Sequence, residues 1–198
     1  MSCSGGQEYA YNNALVEAIG HVFQEKQIRF RTTRGPEQEM DLRERTRGTQ
    51  GQRLFVSIHH DSAQEIYITY PKGFPCSDHA AGYAIFVSQK NPYYEESLRF
   101  ARLFGANLRA WGLRPSRHHA DKIPGEHRQA LDAELGIYRF DDLVVLKSAQ
   151  CPAILFEAAV IINPKDDALA RSEPYKVIIA LSLRNAVQRF AKAGRLRP

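Results

Sequence analysis

Two histidines, an aspartate and a serine close an apolar run in Arg53-Leu54-Phe55-Val56-Ser57-Ile58-His59-His60-Asp61-Ser62. Imidazole is the commonest neutral metal ligand and a ready acid–base group. A short buried strand that ends in such side chains is where open α/β sheets carry their ligands. Two further residues stand out against apolar surroundings. Glu157 ends the run Ala153-Ile154-Leu155-Phe156, and Glu8 sits just before the first amphipathic stretch. One imidazole and two carboxylates are parts of a metal hydrolase, with ligands and a carboxylate base. Each also has a purely structural reading. One histidine can cap the strand while the other faces solvent; Glu157 can pair with an arginine, since a buried carboxylate needs a partner; Glu8 can complement a helix N-terminus.

Positioning such residues calls for alternating helices and strands. Leu15, Ile19, Val22 and Phe23 recur at helical spacing and predict a helix from Tyr9 to about Lys26. Ile28–Arg34 alternates apolar and polar and predicts a strand, ended by Gly35-Pro36; Glu37 to about Gln50 predicts a surface helix. Further strands are expected at Arg53–Ile58, Gly82–Ser88, Leu143–Leu146 and Ala153–Phe156. Helices are expected over Tyr94–Trp111 and from about Pro174 to Ala193, with Pro174 suited to a first turn. Between Gly112 and Gly136 runs a long polar excursion containing His118, His119 and His127, a length that points to a functional or mobile loop. This alternation predicts the α/β class: a single three-layer domain whose mixed, mostly parallel sheet has helices on both faces.

Composition narrows the function. The 198 residues, 43% hydrophobic and 25% charged, suffice for one domain with a substantial core. No apolar run approaches the ~20 residues of a transmembrane helix. The N-terminus shows no export signal. A net charge of +5 invites a nucleic-acid reading, but the basic residues are scattered and neither an RNP-type aromatic motif nor zinc-finger spacing is present. A basic surface also suits an anionic polymer such as a bacterial wall. Cys3, Cys76 and Cys151 are odd in number and unrelated in spacing, so they are expected to form no disulfide framework and to be inert, with Cys151 buried.

Several segments, in order, resemble the zinc-dependent N-acetylmuramoyl-L-alanine amidases of the amidase-3 type, over nearly the whole chain. Glu8-Tyr9-Ala10-Tyr11-Asn12 with Arg31-Thr32-Thr33-Arg34 behind it is similar to the family's run of metal-binding glutamate, helix, strand and "TR". Leu42–Arg45 and Leu54–Ser62 resemble its "L-x-x-R" and "S-[IL]-H-x-[ND]" segments, and Leu143–Asn163 resembles its closing strands with the catalytic glutamate.

The resemblance implies a peptidoglycan or muropeptide substrate, a Zn2+ cofactor bound by Glu8 and His59, and Glu157 as the base that activates water. It places His60 in a variable slot, as a wall residue. It also implies a periplasmic or extracellular bacterial enzyme; a monomer is the expectation for its oligomeric state. The family opens with a "D-P-G-H-G-G" turn whose histidine is the first zinc ligand, and here Cys3-Ser4-Gly5-Gly6 looks like the far end of that turn. The expectation is therefore an amidase-like catalytic domain over residues 1–198 that is N-terminally incomplete. Its third ligand is left open among His118, His119, His79 and Cys3. A non-catalytic wall-binding or regulatory module is the alternative reading, and a zinc peptidase or deacylase on the same scaffold is a third.

Overall fold

A computed structural model describes residues 1–33, 35 and 40–194. In chain order the elements are α1 (Glu8–Glu25), β1 (Phe55–Asp61), β2 (Ala84–Val87), α2 (Tyr94–Ala110), β3 (Ala130–Asp132), β4 (Ile137–Arg139), α3 (Val144–Ser148), β5 (Ala153–Val160), α4 (Pro164–Arg171) and α5 (Glu173–Gly194). The strands form one mixed sheet in the order β1-β5-β2-β4-β3. β1 runs parallel to β5, with His59 opposite Glu157. β2 runs antiparallel to β5 and parallel to β4.

Strand alternation sorts the core into two layers. Ile154 and Phe156 of β5, with Ile85 and Val87 of β2, pack against Leu15 and Ile19 of α1, Phe104 of α2 and Leu183 of α5. The neighbours one position along, Ala153, Leu155, Ala84 and Phe86, face Val145 and Leu146 of α3 instead. The sheet is thus the helix-flanked α/β arrangement expected. Phe156 is fully buried and lies edge-on to Phe104 at 4.8 Å between ring centroids. Truncation of such a side chain to alanine costs about 3–5 kcal/mol. Gly82 feeds β2 with φ +98°, and a Cβ there would strike the Arg114 carbonyl, so only glycine fits this entry.

Four sequence expectations change. Residues 28–33 form no strand, and Arg34 lies outside the described residues. Alternation marks a pleated surface but supplies no partner backbone, and among the described residues β1 pairs with β5 alone. Of the surface helix expected over Glu37–Gln50, residues 37–39 lie outside the described residues, and the described part carries one 3-10 turn, Glu44–Thr46. Met40 and Leu42 give it no apolar stripe to bury. Leu143–Leu146 enters helix α3 and is no strand; a short apolar run does not distinguish a strand from a buried helix turn. The cysteines are not all inert either. Cys3 and Cys76 form a disulfide across 73 residues of sequence, and Cys151 is the buried free thiol. Sequence spacing says nothing about that pairing, which exists because Cys3 docks on the end of β5 through its N–H to the Ile161 carbonyl, 2.9 Å.

Helix α4 lies outside the helices expected, although its start carries a sequence signal. The Asn163 side chain accepts from the N–H groups of Lys165 and Asp166, and Pro164 follows directly, which is the preferred chemistry of a helix start.

Candidate active site

The end of β1 splits its polar side chains between two faces. His60 turns toward α1, is buried, and donates from Nδ1 to Asn12 Oδ1 at 2.7 Å. Burial holds it down to about 4, so it is neutral at physiological pH. His59 turns the other way. Its Nδ1 lies 3.0 Å from Glu8 Oε1 and its Nε2 lies 3.1 Å from Ser57 Oγ. Glu8 Oε1 also accepts from Asn12 Nδ2 at 2.9 Å and from the His60 N–H at 3.4 Å. Burial pushes Glu8 up, but the His59 and Asn12 hydrogen bonds outweigh it and hold the carboxyl down to about 2.

Beyond the β-bulge that follows His59, the chain delivers Asp61 to a second group. His118 and His119 come from the 3-10 turn His118–Ala120 and are 4% and 5% exposed. Their Nε2 atoms lie 3.2 and 3.0 Å from Asp61 Oδ2. Neither approach has the alignment of a hydrogen bond, and Asp61 Oδ2 and both Nε2 atoms remain without a hydrogen-bond partner. Burial raises Asp61, but its two histidines outweigh that and hold it below the usual carboxylate range. Burial lowers His119, and the nearby carboxylates of Asp61 and Glu126 outweigh it to hold the ring up to about 9.

Glu157 shares this surroundings. Its Oε2 is buried and has no partner. Burial first, then the negative charges of Asp61 and Glu8, push its carboxyl well above the usual range. A buried carboxylate between two anions is an expensive arrangement unless a cation or a transferred proton belongs there.

The structure therefore brings Glu8 and His59 into direct contact and sets Glu157 beside them in the sheet. Of the substitutes left open for a third ligand, Cys3 is consumed in the disulfide and His79 is stacked on Tyr67 with its Nε2 on Asp121 Oδ2 at 2.7 Å. His118 and His119 gather on Asp61 instead. Asp61 closes the β1 motif with no role that its position alone assigns; the adjacent His118 and His119 of the long excursion are the one sequence signal for this group.

The zinc that the resemblance implies on Glu8 and His59 can be tested against these contacts. Two donors bonded to each other, with His59 Nε2 also engaged by Ser57, fall short of the three protein ligands a catalytic zinc takes. The pair alone does not fit the ion. The three orphaned atoms on Asp61, His118 and His119 are a better match, lying within 4.8 Å of one another.

A helix-flanked sheet with imidazoles and carboxylates gathered at one corner defines an α/β domain with a polar candidate site. The particular family follows from comparison: the Amidase_3 family model, described as N-acetylmuramoyl-L-alanine amidase, matches residues 2–189, and the chain belongs to that family. Membership supports a peptidoglycan amidase activity. Among solved structures, the amidase Ami1 from Mycobacterium smegmatis is similar with a TM-score of 0.75 at 20% identity, covering 96% of this chain and 79% of that one. The apo form of Ami1 from Mycobacterium abscessus gives 0.74 at 22% identity, over 95% of this chain and 80% of that one. The catalytic domain of CwlV from Bacillus (Paenibacillus) polymyxa var. colistinus gives 0.69 at 17% identity, over 96% and 89%. At these identities the structures share the fold. No curated protein matches the sequence.

Proposed function

We propose that this chain hydrolyses the amide bond between the lactyl group of N-acetylmuramic acid and L-alanine of peptidoglycan stem peptides, with Glu157 as the base. The observation that carries this reading is the Glu157 carboxylate oxygen, buried without a partner and opposite His59 in the sheet of an amidase-family domain. Glu157 accepts a proton from the attacking water and returns it to the departing amide nitrogen, a relay suited to a carboxyl whose proton affinity is raised by burial and by Asp61 and Glu8. Glu8 fixes the ring of His59 by accepting from Nδ1, so the imidazole lines the site in one orientation. A divalent ion held in this region would supply positive charge and Lewis-acid polarisation of the amide carbonyl.

The family's wall substrate implies action in the periplasm or outside the cell. The Cys3–Cys76 disulfide supports that compartment, because such bonds persist where the surroundings are oxidising.

The test is incubation of the zinc-supplemented protein with a purified muropeptide, followed by mass spectrometry. Release of the stem peptide with a free L-alanine amine, and of the glycan with a free lactyl carboxyl, is the expected result. A muropeptide left intact, or cut elsewhere, contradicts the reading. The closed Glu8–His59 pair favours the second reading, a wall-binding module without turnover; it predicts co-sedimentation with peptidoglycan and no new amine.

A further inference from the structure

We infer that Asp61, His118 and His119 form a divalent-metal site, suited to zinc, with a donor set separate from the Glu8–His59 pair. Three observations converge. First, one ligand atom from each residue lies within 4.8 Å of the others, and all three atoms are buried without a hydrogen-bond partner. Unsatisfied buried polar atoms are rare and each calls for an explanation. Here the three explain one another if they surround a cation.

Second, the opposite end of each donor is already held. His118 Nδ1 is 2.6 Å from Ser116 Oγ, and His119 Nδ1 is 3.1 Å from Glu126 Oε2. Asp61 Oδ1 accepts from the Ser62 N–H at 2.7 Å. Metal-binding imidazoles characteristically engage an outer partner through their second nitrogen, which fixes the ring and aims the ligating atom. The supports are anchored in turn. Glu126 Oε1 accepts from Gln64 Nε2 at 2.9 Å, the Tyr138 hydroxyl donates to the Ser116 carbonyl at 2.7 Å, and the Arg128 N–H donates to the His119 carbonyl at 2.6 Å.

Third, carboxylates gather here. Asp61 and Glu126 flank the two rings, and Asp61 is close enough to act on Glu157. Among the described residues the ion pairs of Asp61 and Glu126 are with His118 and His119, not with a lysine or arginine. Two imidazoles and a carboxylate are a known zinc donor set that leaves a fourth position open. Magnesium and calcium, which favour oxygen ligands, fit it less well.

The inference concerns where an ion is held and stands apart from the hydrolysis proposed above. The experiment strips the purified protein with a chelator, dialyses it against Zn2+, and measures bound metal by atomic emission. Close to one equivalent should be retained on this site. Asp61→Asn and His118→Ala should weaken its uptake by more than the ~10–100-fold that loss of an outer partner costs. Glu126→Gln keeps all three metal donors, and should weaken uptake by about that 10–100-fold. Wild-type protein that takes up no zinc, or uptake left unchanged by Asp61→Asn and His118→Ala, overturns the inference and leaves the cluster an ion-pair group. Because uptake is read without turnover, protein that holds zinc through this trio yet leaves muropeptides intact refutes the hydrolysis alone.

Discussion

Around His59 the polar atoms close on one another; around His119 they converge and stop. In the first region Asn12 bridges Glu8 to His60, Glu8 bridges Asn12 to His59, and Ser57 occupies the far nitrogen of His59. In the second, the outer contacts of both imidazoles are complete while Asp61 Oδ2 and the two Nε2 atoms that face it are not. Both regions hang from the same strand, on either side of one β-bulge. The first arrangement fixes shape. The second leaves donors oriented toward a position that the chain's own hydrogen bonds do not fill. Completeness of hydrogen bonding therefore separates residues that position a site from residues that await a ligand, a distinction that residue type alone does not make.

Glu157 sits opposite His59 in the sheet and feels the charges of both Asp61 and Glu8, and its substitution should have the largest effect. Glu157→Gln should lower kcat on a muropeptide by about 10²–10⁴-fold while zinc content is unchanged; retained turnover would remove Glu157 from the role of base. Next comes Asn12→Ala, which strips the closed region of its bridge and leaves the buried His60 Nδ1 without an acceptor. It should destabilise the fold by about 1–3 kcal/mol in urea denaturation and leave zinc uptake alone. Loss of zinc with Asn12→Ala would join the two regions into one site and break the comparison.

The smallest effect is a pH dependence. Glu8 titrates at about 2 in the folded protein against an ordinary value of 4.5. A folded value below the unfolded one means the unfolded chain binds the proton first. The Glu8 contribution is then fully present above pH 4.5 and is lost as pH falls toward 2. Glu8→Gln should flatten that part of the stability profile, and an unchanged acid limb would show that the His59 and Asn12 bonds do not hold Glu8 in its charged form.

Much of this was legible in the residues. The apolar runs of β1, β2 and β5 and the periodicities of α1, α2 and α5 were readable, because each buries a continuous face. Glu8, His59 and Glu157 could be singled out as polar groups abutting apolar runs. What the sequence hid depends on partners distant along the chain. The disulfide needs Cys3 to dock on the end of β5, the 28–33 segment needs a neighbouring strand to become one, and Asp61 gains meaning only once the loop 112–136 returns two histidines to it. That loop is also less irregular than its composition suggested, since it contains the His118–Ala120 turn and strand β3.

The contrast between the two regions is tested most directly by anomalous diffraction at the zinc edge from crystals grown with zinc. The account predicts a peak within bonding distance of Asp61, His118 and His119. Zinc seated between Glu8 and His59, with the Asp61 trio empty, would contradict it.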